Sequence, residues 1–221
     1  MPKLTDRAGR RDNDSRQESP ANSLPALQER SRETRDRLIA AAEEAFSQRG
    51  YEGARIADIA KAAGCSTGSV YFRFKDKSAL FAGIVERFAE EAQALVQALP
   101  VPGAGMGAVE LIQILVSGVA DLFFAHRGLF RAVVERGVHF PPAFIAVVRV
   151  RADLDRVIGN AVRAHRSEPG RDLDLEVRVA TQIIYGFLFN IVINPLSPTR
   201  SDGERAIAEL AKAVIAYLKL N

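Results

Sequence analysis

Ile56-Ala57-Asp58-Ile59-Ala60-Lys61-Ala62-Ala63-Gly64-Cys65-Ser66-Thr67-Gly68-Ser69-Val70-Tyr71-Phe72-Arg73-Phe74 is the stretch whose reading decides the fold. Ile56, Ile59, Ala60 and Ala63 recur at steps of three and four, which places them on one apolar face of a short helix over about 56–62. Ala63-Gly64-Cys65 makes a tight turn, with glycine where the chain must reverse. Ser66 is a good N-cap, because its hydroxyl accepts from an unpaired first-turn N–H, and a second helix follows over about 66–72. Two short helices joined by a glycine-bearing turn have the shape of a helix-turn-helix. The second helix spans about 10 Å. It is too short to be stable alone, so neighbours must brace it. Its first residues, Ser66, Thr67, Gly68 and Ser69, are small enough to approach the floor of a major groove about 12 Å wide.

The flanking sequence supplies the braces. Leu38, Ala42, Ala45, Phe46 and Arg49 fall at helical spacing over about 32–48, and Gly50 closes that helix. Asp76 caps a fourth helix, which runs over about 76–98 and ends before Pro100. Further helices read as 106–125, 128–137, 142–166, 172–193 and 202–220, and Ser201 to Glu204 has capping-box spacing for the last. Strict alternation is nearly absent, so the expected fold is all-α, with about nine helices. Residues 1–30 are expected to be a disordered tail, 31–77 the helix-turn-helix domain and 78–221 a larger C-terminal domain, with helix four as the link.

The remaining composition narrows the function. The chain has 221 residues, one cysteine, 30 Lys+Arg against 27 Asp+Glu, and a pI near 9.2. A single Cys65 excludes disulfide scaffolds and multi-cysteine metal modules, and one unbridged thiol fits a reducing cytoplasm. Met1 to Pro20 has no apolar run, so no signal peptide is expected there. Val179 to Leu196 is the most apolar stretch, but its polar residues and Pro195 read as a buried helix rather than a membrane span. No nucleophile elbow, zinc helix, phosphate loop or dinucleotide fingerprint occurs, so no catalytic residue, metal ligand or cofactor is assigned.

Gly50-Tyr51, Ile56-x-Asp58-Ile59-Ala60, Ala63-Gly64-Cys65-Ser66-x-Gly68, Tyr71-x-x-Phe74 and Lys77-x-x-Leu80 together resemble the tetracycline-repressor (TetR) family of bacterial transcriptional regulators, over about residues 32–81. The resemblance implies an N-terminal DNA-binding domain and a C-terminal domain that binds a small effector and dimerises through its last two helices. It places Ser66, Thr67, Gly68 and Ser69 at the recognition-helix start and Tyr71, Phe72 and Lys77 at positions that touch DNA. Arg55 stands where a capping Thr or Ser is usual, and Arg73 where His or Tyr is common. Both are counted as candidate phosphate contacts.

Several residues admit plainer roles. Phe72 and Cys65 also fit core positions. His126, His139 and His165 are scattered and read as surface or loop histidines, with His139 kept as a pocket candidate. The effector-site candidates are Phe124, His139, Phe144, Tyr185 and Asn190. The dimer-seam candidates are Ile184, Leu188, Ile191, Ile207, Leu210, Val214 and Leu218, although one core can also absorb these stripes. The expectation is a ligand-controlled repressor binding double-stranded palindromic DNA as a homodimer. The alternative is a protein-interaction module on the same fold.

Overall fold

The computed structural model describes residues 24–100, 106–136, 141–166 and 172–220. Among them are nine α-helices and no strand. The helices are α1 (Leu24–Gly53), α2 (Ile56–Ala62), α3 (Thr67–Arg73), α4 (Lys77–Ala98), α5 (Ala108–Ala125), α6 (Arg127–Arg136), α7 (Pro141–His165), α8 (Leu173–Ile193) and α9 (Gly203–Tyr217). The all-α expectation holds, and each boundary lies within a few residues of its sequence-based place except the first.

α1 begins at Leu24, so residues 24–30 belong to a helix and not to the expected tail. Hydrophobicity misleads here because propensity decides. Pro25 is tolerated in a first turn, and Ala26 to Arg30 are strong helix formers. Residues 1–23 of that expected tail lie outside the described residues. At the other end, Gly50 breaks the helix as expected, with φ 72° and ψ 172°, and one further turn follows. The expected capping box at α9 does not form. A 3-10 turn over Arg200–Asp202 leads into the helix, and Asp202 makes no capping bond.

Burial follows the apolar stripes. Leu38, Ile39, Ala42 and Phe46 of α1 pack with Ile59, Val70, Phe74, Leu80, Phe81 and Ile84, all buried. Phe46, Tyr51 and Phe81 form a ring cluster with centroids 5.1–6.1 Å apart. The same core continues through Phe88 of α4 to Phe130 and Phe123, so the packing runs across the expected 77/78 boundary. α5 and α8 are each long and apolar enough to cross a membrane by length and composition, with 50 % and 39 % of their most apolar windows buried inside this fold.

The dimer-seam candidates lie mostly within the protomer, although Leu210 also lines a cleft between α8 and α9. Ile184, Leu188, Ile191, Ile207, Leu210, Val214 and Leu218 are all buried inside the single chain. α8 packs against α5, α6, α7 and α9, and α9 chiefly against α5, so the protomer's own core takes up their surface.

α6 lies along α1 and joins the two halves. Gly128 allows the approach: a Cβ there would sit 2.1 Å from the Glu43 carbonyl oxygen. The Gly128→Ala variant should therefore push α6 off α1 and destabilise the protein by about 1–3 kcal/mol. Thermal or urea denaturation checks this.

Candidate nucleic-acid interface

α2, its turn and α3 form locally as their residues dictate. Gly64 adopts φ +68° in the turn, and the Cys65 N–H closes it on the Ala60 carbonyl. Ser66 caps α3, its Oγ accepting from the Ser69 N–H at 3.1 Å. Asp76 caps α4 in the same way, accepting from the Ala79 N–H at 2.8 Å. α2 starts at Arg55 with no side-chain cap, as the arginine in a Ser/Thr position implies. Val70 and Phe74 bury the back of α3, and the half-buried Cys65 packs against the same core.

The front of α3 is open. Ser66, Thr67 and Gly68 are exposed, and Arg55 is exposed beside α2. Tyr71 is 56 % and Phe72 84 % accessible, so Phe72 is a surface residue and not core. Exposed rings on a braced helix are a signature of a contact surface, since water gains nothing from them.

Three of the sequence-derived contacts have other employment. The Ser69 hydroxyl lies 3.0 Å from Ser66 Oγ, and the residue is half-buried. Arg73 turns back along its helix: it donates to the Ser69 carbonyl at 3.2 Å and lies 5.7 Å from the Phe72 ring centre. Lys77 Nζ donates to the carbonyls of Tyr51 (2.7 Å), Glu52 (3.3 Å) and Ala54 (3.3 Å), over the Tyr51 ring. Its ammonium closes the end of α1, where the carbonyls lack helical partners. A phosphate contact would require it to leave them. Lys75, two residues earlier, is exposed.

The effector candidates do not converge on one site. Tyr185 is buried, and its hydroxyl has no hydrogen-bond partner. Burial pushes that phenol well above its usual range, against the opposing pull of Arg151. Phe123 meets the Tyr185 ring edge-on at 4.8 Å. Asn190 is exposed and is not a pocket group, because its position on α8 faces away from the core. Phe124 is 40 % accessible and lines a groove of about 690 Å³ between α5 and α9, on another side from Tyr185. His139 and the side chain of Phe144 lie outside the described residues.

Sequence reasoning missed the joint between α6 and α1. Arg131 donates to the Ser47 carbonyl at 2.8 Å, before the kink. The Glu135 carboxylate accepts from the Tyr51 N–H at 2.6 Å, after it. His126, expected at the surface, is buried, with Nδ1 2.9 Å from Glu43 and Nε2 3.0 Å from Glu91. One signal was available. Glu43 shares the inward stripe of α1 with Ile39, Ala42 and Phe46, and a carboxylate on such a stripe needs a cationic partner.

Residues 38–84, which include this helix pair, match the family described as bacterial regulatory proteins, tetR family. The transcriptional regulator AcrR of Shigella flexneri is 46 % identical over 54 residues, 24 % of this chain and 25 % of its own length. The chain therefore aligns with only a quarter of that relative. The regulator UidR of Escherichia coli K12 is 24 % identical over 190 residues, covering 82 % of this chain and 94 % of its own. Among solved structures, the regulator FadR of Bacillus subtilis, in complex with stearoyl-CoA, superposes with a TM-score of 0.61 at 20 % identity. That match covers 83 % of this chain and 96 % of FadR, and it shows a shared fold.

The kink that positions the helix pair depends on Gly50. Its φ lies in the left-handed region, and a Cβ would sit 2.0 Å from Glu135 Oε1. Gly50→Ala should cost at least about 1–2 kcal/mol from the backbone alone. Chemical denaturation measures it, and an unchanged midpoint would remove Gly50 from the joint.

Proposed function

We propose that this chain, which belongs to the tetR family of bacterial regulatory proteins, is a DNA-binding transcriptional regulator that represses from a palindromic operator and is released by a small-molecule effector. The observation that carries the reading is α3. Its back is locked by Val70 and Phe74, while Thr67, Gly68, Tyr71 and Phe72 stand exposed along its front. That is the arrangement a major-groove reader needs, with small residues where the backbone approaches bases and rings where it meets sugar and methyl groups. A regulator of this kind works in the cytoplasm and needs no cofactor or catalytic group.

Two copies are proposed to pair through the outward faces of α8 and α9, not the buried stripes. Ile183 and Phe187 line a cleft of about 700 Å³ with Ala206, Glu209 and Ala213. Leu175 and Tyr217 extend this apolar face. Pairing ties two half-site contacts together and multiplies affinity by about 10²–10⁴ without new DNA contacts.

The effector reading rests on Tyr185. A buried hydroxyl without a partner is costly, and a ligand acceptor atom would satisfy it. Phe123 meets the Tyr185 ring, and Phe130 and Phe189 continue the chain of apolar rings behind it. An amphipathic ligand suits such a site, and FadR, which shares the fold, was solved with one. Ligand entry would spread α5 and α8 and move α6, which holds α1. A coupling of about 1–3 kcal/mol changes operator affinity about 5–150-fold.

The direct test is selection of bound duplexes from a random pool, followed by footprinting at low salt. Failure to enrich any sequence would overturn the reading. On the selected duplex, Lys75→Ala should make the salt dependence shallower by about one unit. Lys77→Ala should lower thermal stability and leave that slope unchanged. Phe187→Asp should yield monomers in sedimentation and weaken operator binding by about 10²-fold or more.

A further inference from the structure

We propose that His126 is a proton-controlled clasp: its imidazolium, held between Glu43 of α1 and Glu91 of α4, keeps the DNA-binding helices in their working arrangement, and loss of its proton weakens the operator complex. The proposal rests on the regulator reading above and adds its control by pH.

Geometry carries the argument. Both ring nitrogens lie within hydrogen-bond distance of carboxylate oxygens, at 2.9 Å and 3.0 Å. An ionised carboxylate only accepts, and a neutral imidazole has one N–H to give. Both contacts are satisfied at once when the ring carries two protons and a positive charge. The ring is buried and meets Phe88 edge-on at 5.3 Å, so water does not replace a lost bond cheaply.

Charge balance points the same way. From α1, Glu43 faces the ring and is itself buried. From α4, Glu91 faces it, and Arg87 bonds Glu43 and pairs with Glu91 at 3.5 Å. From the ring's own segment, Arg127 turns away to Glu44, and Asp121 lines a groove with Glu91. With His126 charged, Glu43 and Glu91 meet two cations. With it neutral, Arg87 alone faces both carboxylates, and Asp121 adds a further negative charge nearby.

Burial alone would lower the imidazole pKa, but the bonds and attraction of Glu43, and then of Glu91, outweigh it and raise the value above 6.5. The sign follows. The stabilisation is fully present below pH 6.5 and is lost as pH rises through the raised folded value. The groups affected matter for DNA, because α1 and α4 are the helices that brace α2 and α3. A clasp that slackens lets α4 move against α1 and changes the spacing of two recognition helices on one duplex.

The test measures affinity for the selected operator duplex between pH 6.5 and 8.5 at fixed salt, alongside an NMR titration of the His126 ring. Wild-type binding should weaken by about tenfold across this range, the equivalent of one pKa unit between clasped and released states. His126→Gln, which carries no titratable charge, should bind with the weaker affinity and a flat profile. Glu91→Gln, at the accessible end of the clasp, should fold normally and move the midpoint to lower pH, which a merely structural contact would not do. A ring that titrates below 6.5, a midpoint unmoved by Glu91→Gln, or equal pH slopes in wild type and His126→Gln would overturn the proposal. If His126→Gln fails to fold, the Glu91→Gln midpoint and the ring titration still decide. A wild-type chain that binds no duplex at either pH overturns the regulator reading instead. One that binds equally at both overturns this inference alone.

Discussion

A carboxylate on the apolar face of a helix cannot stay there uncompensated, and the arrangement of this protein follows from how Glu43 is compensated. Arg87 reaches it from α4 and His126 reaches it from the α5–α6 junction. Removing either partner would leave a buried carboxylate short of hydrogen bonds, an expensive state in a low-dielectric interior. The three groups thus bring together α1, α4 and the start of α6. Gly128 then lets α6 lie against the Glu43 carbonyl, and Arg131 and Glu135 continue the contact down α1 to the kink at Gly50. One contact line carries the C-terminal helices onto the helix that positions the helix-turn-helix pair.

This explains how the seven-residue α3 is held in place. α3 has too few hydrogen bonds to hold itself and buries only Val70 along its length. Its stability is borrowed from the Ser66 cap, from Phe74 and from the bracing helices. Beyond the kink, Lys77 holds the carbonyls of the last turn of α1, and Glu135 accepts from its N–H groups. A change at α6 reaches α3 through backbone groups, which have little freedom to absorb it.

The helix-turn-helix was legible because its determinants are local. The turn needs Gly64, the cap needs Ser66, and the apolar steps of three and four place Ile59, Ala60 and Val70 inward whatever the surroundings. The exposure of Thr67, Gly68 and Tyr71 followed from the same periodicity. The start of α1 was missed because a hydrophilic stretch was weighed by its apolar content, while Ala26 to Arg30 obey helix propensity. The side-chain assignments of Lys77, Arg73 and His126 were not legible, since each is decided by a partner distant in the chain. Lys77 looks like a phosphate ligand until the Tyr51 carbonyl is placed beside it.

The same division holds for the stripes of α8 and α9. Their periodicity shows that Ile184, Leu188, Leu210 and Val214 are buried, but burial against the same chain and burial against a second copy leave the same pattern. Sequence by itself determined the all-α class, most helix boundaries, the Ser66 and Asp76 caps and the family-matching helix pair, because these depend on groups a few residues apart. Only the tertiary structure decided which apolar face fills the protomer core, which lysine stays exposed and which histidine is buried between two carboxylates. Those outcomes depend on the electrostatics and space created when helices distant in sequence meet.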